Sequence, residues 1–469
     1  MKKRELIRKM QSIVGRGNVL HSWTALLVYE YDGSLQRGLP DAVAFATSTE
    51  QVSQLVRLAN TAGIPFLPRG SGTNLSGGSV PAKGGIIIEL SRMNRILEID
   101  LKNQRAVVEP GVFNLALQDA LAPLGYFYAP DPASQKVSTI GGNVGENSGG
   151  PLCLKYGVTT NHVLGLEVVL PNGDVVQMGG KALDYPGYDL KGLMVGSEGT
   201  IGIVTKITVR IMRSPETVKT FLAIYDSVED AGQTVSEIIA EGIIPATLEM
   251  MDRLVMQAVE KSVHAGYPLD AEAVLIIELD GLANGMHRLA EQIVEICKKN
   301  RVRKVQVAAT EAERDKLWMG RRGAFGAVGR LYPSYMVNDG TVPRTKLPHV
   351  LIKVREIGEK YGLPVGNVFH AGDGNLHPLI LFDERDKDQL EVVRKASYEI
   401  LQACLEVGGT ISGEHGIGTE KLHAMWLLFR WEDLDAMWKV KRAFDPKNLC
   451  NPGKVLPEIK PEQGETAHA

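Results

Sequence analysis

The sequence predicts an α+β protein: a two-part α/β segment, then a segment built on an extended antiparallel sheet of ferredoxin-like units, then a C-terminal helical segment. Three observations predict it. Strand and helix patterns alternate from Ala42 to about Met212. After Ser214-Pro215 the order becomes β-α-β-β-α-β, and it then recurs. From Leu422 the pattern is mainly helical. A chain of 469 residues holds about three domains' worth of polypeptide, and the expected division is 1–213, 214–421 and 422–469.

The elements follow in order. Lys3 to Gly15 reads as a short amphipathic helix. Ala42–Ala46 is a strand, and Thr49–Ala62 a helix that Ser48 or Thr49 caps and Gly63 ends. Ile64–Leu67, Gly85–Leu90 and Ala106–Glu109 continue as strands, and Val112–Leu124 is the next helix. Val163–Leu170 and Val175–Gln177 flank Pro171-Asn172-Gly173-Asp174, which is hairpin chemistry. Thr220–Tyr225, Ser227–Glu241, Ala246–Met250, Ala273–Leu279, Ala283–Lys299 and Lys304–Ala308 make the first ferredoxin-like unit. A helix at Glu311–Leu331 separates it from the second: Tyr335–Asp339, Leu347–Tyr361, Val365–His370, Leu376–Leu381, Asp386–Val407 and Gly409–Ser412. The tail from Pro457 is polar and expected to be loose.

Composition excludes several classes. A net charge of -3 gives no basic surplus for nucleic acid. No apolar run approaches the roughly 18 residues of a membrane span, and the basic start lacks the apolar run of a signal peptide. Cys153, Cys297, Cys404 and Cys450 lie too far apart to read as an iron–sulfur or structural zinc site. Scattered thiols point to the cytoplasm. Attachment to a membrane through a partner stays open.

Glycine-rich motifs carry the first chemical signal. Pro68 to Gly78, PRGSGTNLSGG, follows a strand and offers N–H and hydroxyl donors able to wrap a pyrophosphate. It is neither the Rossmann fingerprint, since Leu75 stands where a third glycine belongs, nor a Walker loop. Ser138 to Gly150, STIGGNVGENSGG, suits backbone laid against a flat or anionic ligand, and Gly196 to Lys206 runs from a turn into a β-branched strand. Each alone is compatible with an ordinary turn; three in one α/β segment indicate a large nucleotide.

The second signal is histidine chemistry. In HAGDGNLH, His370 to His377, Asp373-Gly374 reads as a two-residue turn. That register sets His370 opposite His377, with Cβ atoms about 5 Å apart, so that both imidazoles can share one metal ion. In SGEHGIG, Ser412 to Gly418, Glu414 is a candidate third ligand and His415 a candidate general base near neutral pH. Arg321, Arg322 and Arg330 share one expected helix, where a guanidinium fork can hold a carboxylate or simply face solvent.

With these motifs in order, and with DPKNLCNPGKVL closing the chain, the sequence resembles the FAD-linked oxidases of the vanillyl-alcohol-oxidase superfamily, over about Gln36 to Leu456. Within that superfamily it resembles the FAD-binding subunits of bacterial glycolate oxidases, with D-lactate and D-2-hydroxyglutarate dehydrogenases beside them. The stretch Leu317 to Arg344 resembles the glycolate-oxidase branch more than the hydroxyglutarate branch.

The resemblance implies a PCMH-type FAD domain at 1–213, a cap domain at 214–421 bearing the substrate site, and a C-terminal segment that returns to the flavin through Asn448 and Asn451. The cofactor-binding residues it implies are Pro68, Arg69, Gly70, Ser71, Gly72, Thr73, Asn74, Gly77 and Gly78; Pro130, Asp131 and Ser134; Thr139, Gly141, Gly142, Gly145, Asn147, Gly149 and Gly150; Glu198, Gly202, Ile203 and Val204; and Asn451. It implies His370, His377 and Glu414 as ligands of one divalent metal (zinc, iron or manganese), His415 as the base, and Arg321 as the substrate-carboxylate arginine. No His, Tyr or Cys lies within Pro68–Gly78, so FAD is expected to be noncovalent. The lysine that grips a distal carboxylate in the hydroxyglutarate branch is missing from Tyr335 to Asp339, which favours glycolate or D-lactate. Electrons are expected to leave through an iron–sulfur subunit or an electron-transfer flavoprotein. The rivals are the same fold acting on another alcohol or a larger hydroxy acid, a flavin-free metal hydrolase, and a noncatalytic flavin-binding subunit.

Overall fold

Ser48 accepts the N–H of Gln51, and Gly63 takes the left-handed conformation (φ 63°), so the helix Thr49–Ala62 starts and stops where local chemistry dictates. The protein is described here by a computed structural model covering residues 1–182 and 185–458; the polar tail beyond residue 458 lies outside the described residues. Residues 1–149, 157–214 and 414 onward pack as one unit, and residues 150–156 and 215–413 as another. The second break falls at 413/414 rather than the expected 421/422, which puts Glu414 and His415 in the first unit.

The first unit has a four-stranded sheet, a five-stranded sheet and a two-stranded pair. Strands β1 (Val19–Leu20), β2 (Ala42–Phe45), β3 (Phe66–Arg69) and β4 (Ile86–Glu89) form the first, in the order β1-β2-β4-β3, with β2, β4 and β3 parallel. Every residue of β4 is buried, as its unbroken Ile-Ile-Ile run requires of a strand covered on both faces. The helices Lys3–Val14 and Thr49–Ala62 bury Leu6, Met10, Val52, Leu55 and Val56 in the same core as Ile86 and Ile88. Strands β5 (Ile96–Asp100) and β6 (Arg105–Val108) begin the second sheet. After them come β7 (Tyr126–Phe127), β8 (Val163–Val169), β9 (Val175–Gly179), β10 (Ile203–Arg210) and β11 (Met212–Arg213). The sheet is antiparallel in the order β5-β6-β10-β8-β9, and β11 pairs with β7. The expected helix Val112–Leu124 is shorter, Asn114–Leu121 followed by a 3₁₀ turn that contains Pro123.

The second unit opens with β12 (Thr217–Tyr225), β13 (Thr247–Asp252), β14 (Ala273–Gly281) and β15 (Lys304–Val307), ordered β15-β12-β14-β13. With helices Val228–Ala240 and Met286–Lys299, that is the ferredoxin-like arrangement. The repeat supplies β16 (Ser334–Val337), β17 (Gly340–Thr341), β18 (Val365–His370), β19 (Asn375–Leu376) and β20 (Pro378–Phe382), where β20 pairs with both β16 and β18. Pairing of β13 with β18 fuses the two repeats into one antiparallel sheet. The expected strand Gly409–Ser412 is reduced to a single bridge between Thr410 and Thr341. There Gly409 approaches Thr341 so closely that a Cβ would lie 2.1 Å from its carbonyl oxygen. The helix Arg253–Ser262, capped by Asp252, is an element the sequence reading missed. Among the described residues no helix is long and apolar enough to cross a membrane.

Candidate active site

In the first unit the Pro68–Gly78 loop leaves the end of β3, with glycines at positive φ (Gly72 69°, Gly77 84°) turning it. Asn74 Oδ1 accepts N–H bonds from Ser76 (2.8 Å) and Gly78 (2.7 Å), which closes the loop on itself. The backbone N–H groups of Gly70 to Leu75 make no hydrogen bond with any described residue. Six consecutive donors left over at the end of a parallel strand are available to an anion, as in a backbone nest.

Ser138–Gly150 is not all loop. Thr139 caps a helix, Ile140–Glu146, whose glycine content had hidden it, and Asn147 ends it at φ 55°. Ser138 Oγ, Asn143 Nδ2 and Glu146 Oε2 are buried with no hydrogen-bond partner among the described residues. Burial, then the neighbouring Glu198 and Asp32 carboxylates, raises Glu146 well above the ordinary carboxyl range and favours its protonated form. Burial likewise raises Glu198, opposed by the N–H groups of Ile417 (2.6 Å) and Gly418 (2.8 Å) that its carboxylate accepts. Unsatisfied buried donors and acceptors of this kind call for a polar ligand or ordered water. The nest and these atoms therefore fit the pyrophosphate and polar groups of FAD.

Several residues expected to touch the cofactor have their side chains engaged within the protein. Arg69 donates to the carbonyls of Ser79 (3.0 Å) and Tyr31 (2.7 Å). Asn147 Oδ1 accepts from Thr160 N (2.8 Å), and Asn451 Nδ2 donates to the carbonyls of Gly78 (3.0 Å) and Glu198 (2.7 Å). Ile203 is a core residue. The unpaired atoms belong instead to Ser138, Asn143 and Glu146, which the sequence reading did not single out. Gly150 groups with the other unit. Gly145 has open space where a Cβ would go. Gly145→Ala is therefore expected to leave the apoprotein's melting temperature unchanged or raised, since alanine suits a helix better by about 0.5–1 kcal/mol. The same change is expected to weaken FAD binding, measured by fluorescence titration of the apoprotein.

The loop bearing His415 is bound to these motifs. The His415 carbonyl accepts from Ser76 Oγ (3.0 Å) and Asn74 Nδ2 (3.4 Å), and Ser76 O accepts from Thr419 N and Glu420 N (both 3.0 Å). Glu414 lies beside it, Oε1 3.7 Å from His415 Nε2.

In the second unit β18 runs into a 3₁₀ turn, Ala371–Asp373, and Gly374 takes φ 71°. The three-residue turn shifts the expected register: His370 pairs with Asn375, not with His377. The imidazoles still meet, because His377 lies two residues beyond Asn375 on the same face. Their ring centroids are 5.2 Å apart, edge to face. His370 Nδ1 sits 2.7 Å from Glu249 Oε1 on the adjacent β13. Arg321, from the helix Glu311–Val328, places Nε 2.8 Å and Nη2 2.6 Å from Glu249 Oε2. Both Arg321 and Glu249 are nearly inaccessible to solvent, at 3% and 1% side-chain exposure. Burial alone would raise the Glu249 carboxyl, but its hydrogen-bonded partners His370 and Arg321 outweigh it and hold it below the ordinary range. His377 Nε2 lies 3.5 Å from Asp339 Oδ1, whose carboxylate also accepts from Ser412 Oγ (2.6 Å).

Glu249 and Asp339 went unrecognised. The signal for Glu249 was present: a carboxylate in the run Thr247-Leu248-Glu249-Met250-Met251 has no place in a buried strand without charged partners.

The family described as FAD linked oxidases, C-terminal domain, matches residues 214–455, more than half of the chain, and the FAD binding domain matches residues 40–179. The chain belongs to the FAD-linked oxidase family. This FAD-linked oxidase is 46% identical to the glycolate oxidase subunit GlcD of Bacillus subtilis over 455 residues, 97% of each chain. It is also 46% identical to that of Escherichia coli K12 over 442 residues, 94% of this chain and 89% of the other. The D-lactate dehydrogenase of Archaeoglobus fulgidus is 34% identical over 422 residues, 88% of this chain and 90% of the other. Among solved structures, p-cresol methylhydroxylase shares the fold with a TM-score of 0.82 at 19% identity, covering 97% of both chains.

Proposed function

We propose that this FAD-linked oxidase oxidises glycolate or D-lactate to the 2-oxo acid and passes the electrons to a partner protein. The observation that carries the reading is the buried Arg321–Glu249–His370 chain with His377 beside it. A guanidinium next to two imidazoles matches an anion that carries a hydroxyl on the adjacent carbon. The glycolate oxidase subunits and D-lactate dehydrogenases among its relatives support the same substrate class.

FAD, noncovalent and held by the nest at Gly70–Leu75 and the helix Ile140–Glu146, supplies a two-electron acceptor, and a divalent metal on His370, His377 and Glu414 supplies a Lewis acid. Imidazole nitrogens with a carboxylate oxygen suit zinc, iron or manganese. Glu414 enters as third ligand on its place in SGEHGIG. Arg321 binds the substrate carboxylate through Nη1, the guanidinium nitrogen that Glu249 leaves uncommitted. His415 takes the hydroxyl proton on an imidazole nitrogen. The four cysteines lack the spacing of a cluster site, so the electron outlet lies outside this chain; the family resemblance makes it an iron–sulfur subunit or an electron-transfer flavoprotein, reached from the cytoplasm.

Dye-linked turnover with glycolate, D-lactate, L-lactate and D-2-hydroxyglutarate tests the substrate. Glycolate or D-lactate is expected to turn over at least tenfold better, by kcat/KM, than L-lactate or D-2-hydroxyglutarate; preference for D-2-hydroxyglutarate would move the reading to a dicarboxylate. Dialysis against a chelator is expected to lower turnover by an order of magnitude or more and to leave FAD bound, with zinc, manganese or iron restoring it. Turnover that survives exhaustive chelation would remove the metal from the reaction.

A further inference from the structure

We propose that Glu249 is a positioning residue for two groups at once: it fixes His370 as the tautomer with the lone pair on Nε2, and it clamps Arg321 by its Nε and Nη2 edge. The inference rests on the metal and arginine roles proposed above.

Register places Glu249 there. It pairs across the β13–β18 ladder with His370, and cross-strand partners project to the same face. A carboxylate oxygen accepts hydrogen bonds and donates none when ionised, so the proton between Glu249 Oε1 and His370 Nδ1 (2.7 Å) belongs to the imidazole. Nε2 is then the ligating nitrogen, and a carboxylate behind a ligating imidazole both orients the ring and raises its basicity. On its other oxygen Glu249 meets both Nε and Nη2 of Arg321, which fixes that edge of the rigid guanidinium and with it the remaining nitrogen, Nη1.

Folding alone does not account for this carboxylate. Its neighbours Leu248, Met250 and Met251 are buried apolar residues. Replacing a buried ion pair with apolar side chains of similar volume is commonly neutral or stabilising, so a charged residue in this strand points to a task beyond packing.

The test uses the FAD-loaded enzyme, with zinc as the probe metal. Zinc affinity is read by competition with a colorimetric chelator, and KM for glycolate is measured at saturating zinc. In Glu249→Gln the amide oxygen can accept from Arg321 or from His370 Nδ1–H but not from both, and its NH2 turned to His370 would favour the opposite tautomer. Zinc is expected to bind about 10- to 100-fold more weakly, and KM to rise by about tenfold. The double variant Glu249→Leu with Arg321→Met removes the whole ion pair and leaves no orphan charge. It is expected to melt no lower than wild type and still to lose zinc affinity by about 10- to 100-fold; it decides the matter if the single variant does not fold. Wild-type zinc affinity in either variant, with KM unchanged in Glu249→Gln, would overturn the inference and leave the proposed function standing. Wild-type enzyme that takes up no zinc, iron or manganese would overturn the metal reading itself and the tautomer role with it.

Discussion

His415→Asn lowers kcat by about 10²- to 10⁴-fold and leaves the protein yellow. The size is that of a lost general base. The colour is retained because the substitution keeps the backbone that holds this loop to Pro68–Gly78: the residue 415 carbonyl accepts from Ser76 Oγ and Asn74 Nδ2. Asparagine keeps the polarity and much of the bulk but cannot take a proton near neutral pH. Turnover and the visible spectrum of one preparation check both halves. Full turnover would remove His415 from the proton transfer; loss of colour would make it part of the cradle.

Gly418→Val gives the opposite pattern, loss of FAD together with loss of stability. Gly418 has φ 52°, and a Cβ there would lie 2.0 Å from Ser76 O and 2.7 Å from Ser76 Oγ. A β-branched residue is strained in that conformation and collides with backbone that also receives Thr419 N and Glu420 N. The expected cost is about 2–4 kcal/mol, read as a lower melting temperature, and the purified protein carries little flavin. Gly145→Ala is the contrast, because its cost falls on the cofactor and not on the fold. A yellow Gly418→Val protein with wild-type melting temperature would show that the close approach of the two loops is dispensable.

The sequence made the fold legible wherever local chemistry decides. Ser48 and Gly63 bound one helix, and Pro171 to Asp174 make the β8–β9 hairpin, which closes with Val169 opposite Val175. The β-α-β-β-α-β order foretold the sheet order β15-β12-β14-β13. Legibility failed where tertiary contacts outweigh propensity. The glycines of Ile140–Glu146 argue against a helix, yet Gly141 is required because a Cβ there would lie 2.5 Å from Pro110. At HAGDGNLH the Asp-Gly pair suggested a two-residue turn, but a 3₁₀ turn moved the register by two. The two imidazoles still meet, in a geometry that differs from the one expected. Glu249 lies 121 residues from His370 in sequence, so only the β13–β18 pairing reveals the contact.

Anaerobic visible absorbance of the purified protein, titrated with glycolate, D-lactate and L-lactate, tests the central claim most directly. The account predicts a yellow flavoprotein bleached by glycolate or D-lactate and left unchanged by L-lactate. A colourless protein that cannot be reconstituted with FAD, or a yellow one that none of these acids bleaches with metal supplied, would contradict it.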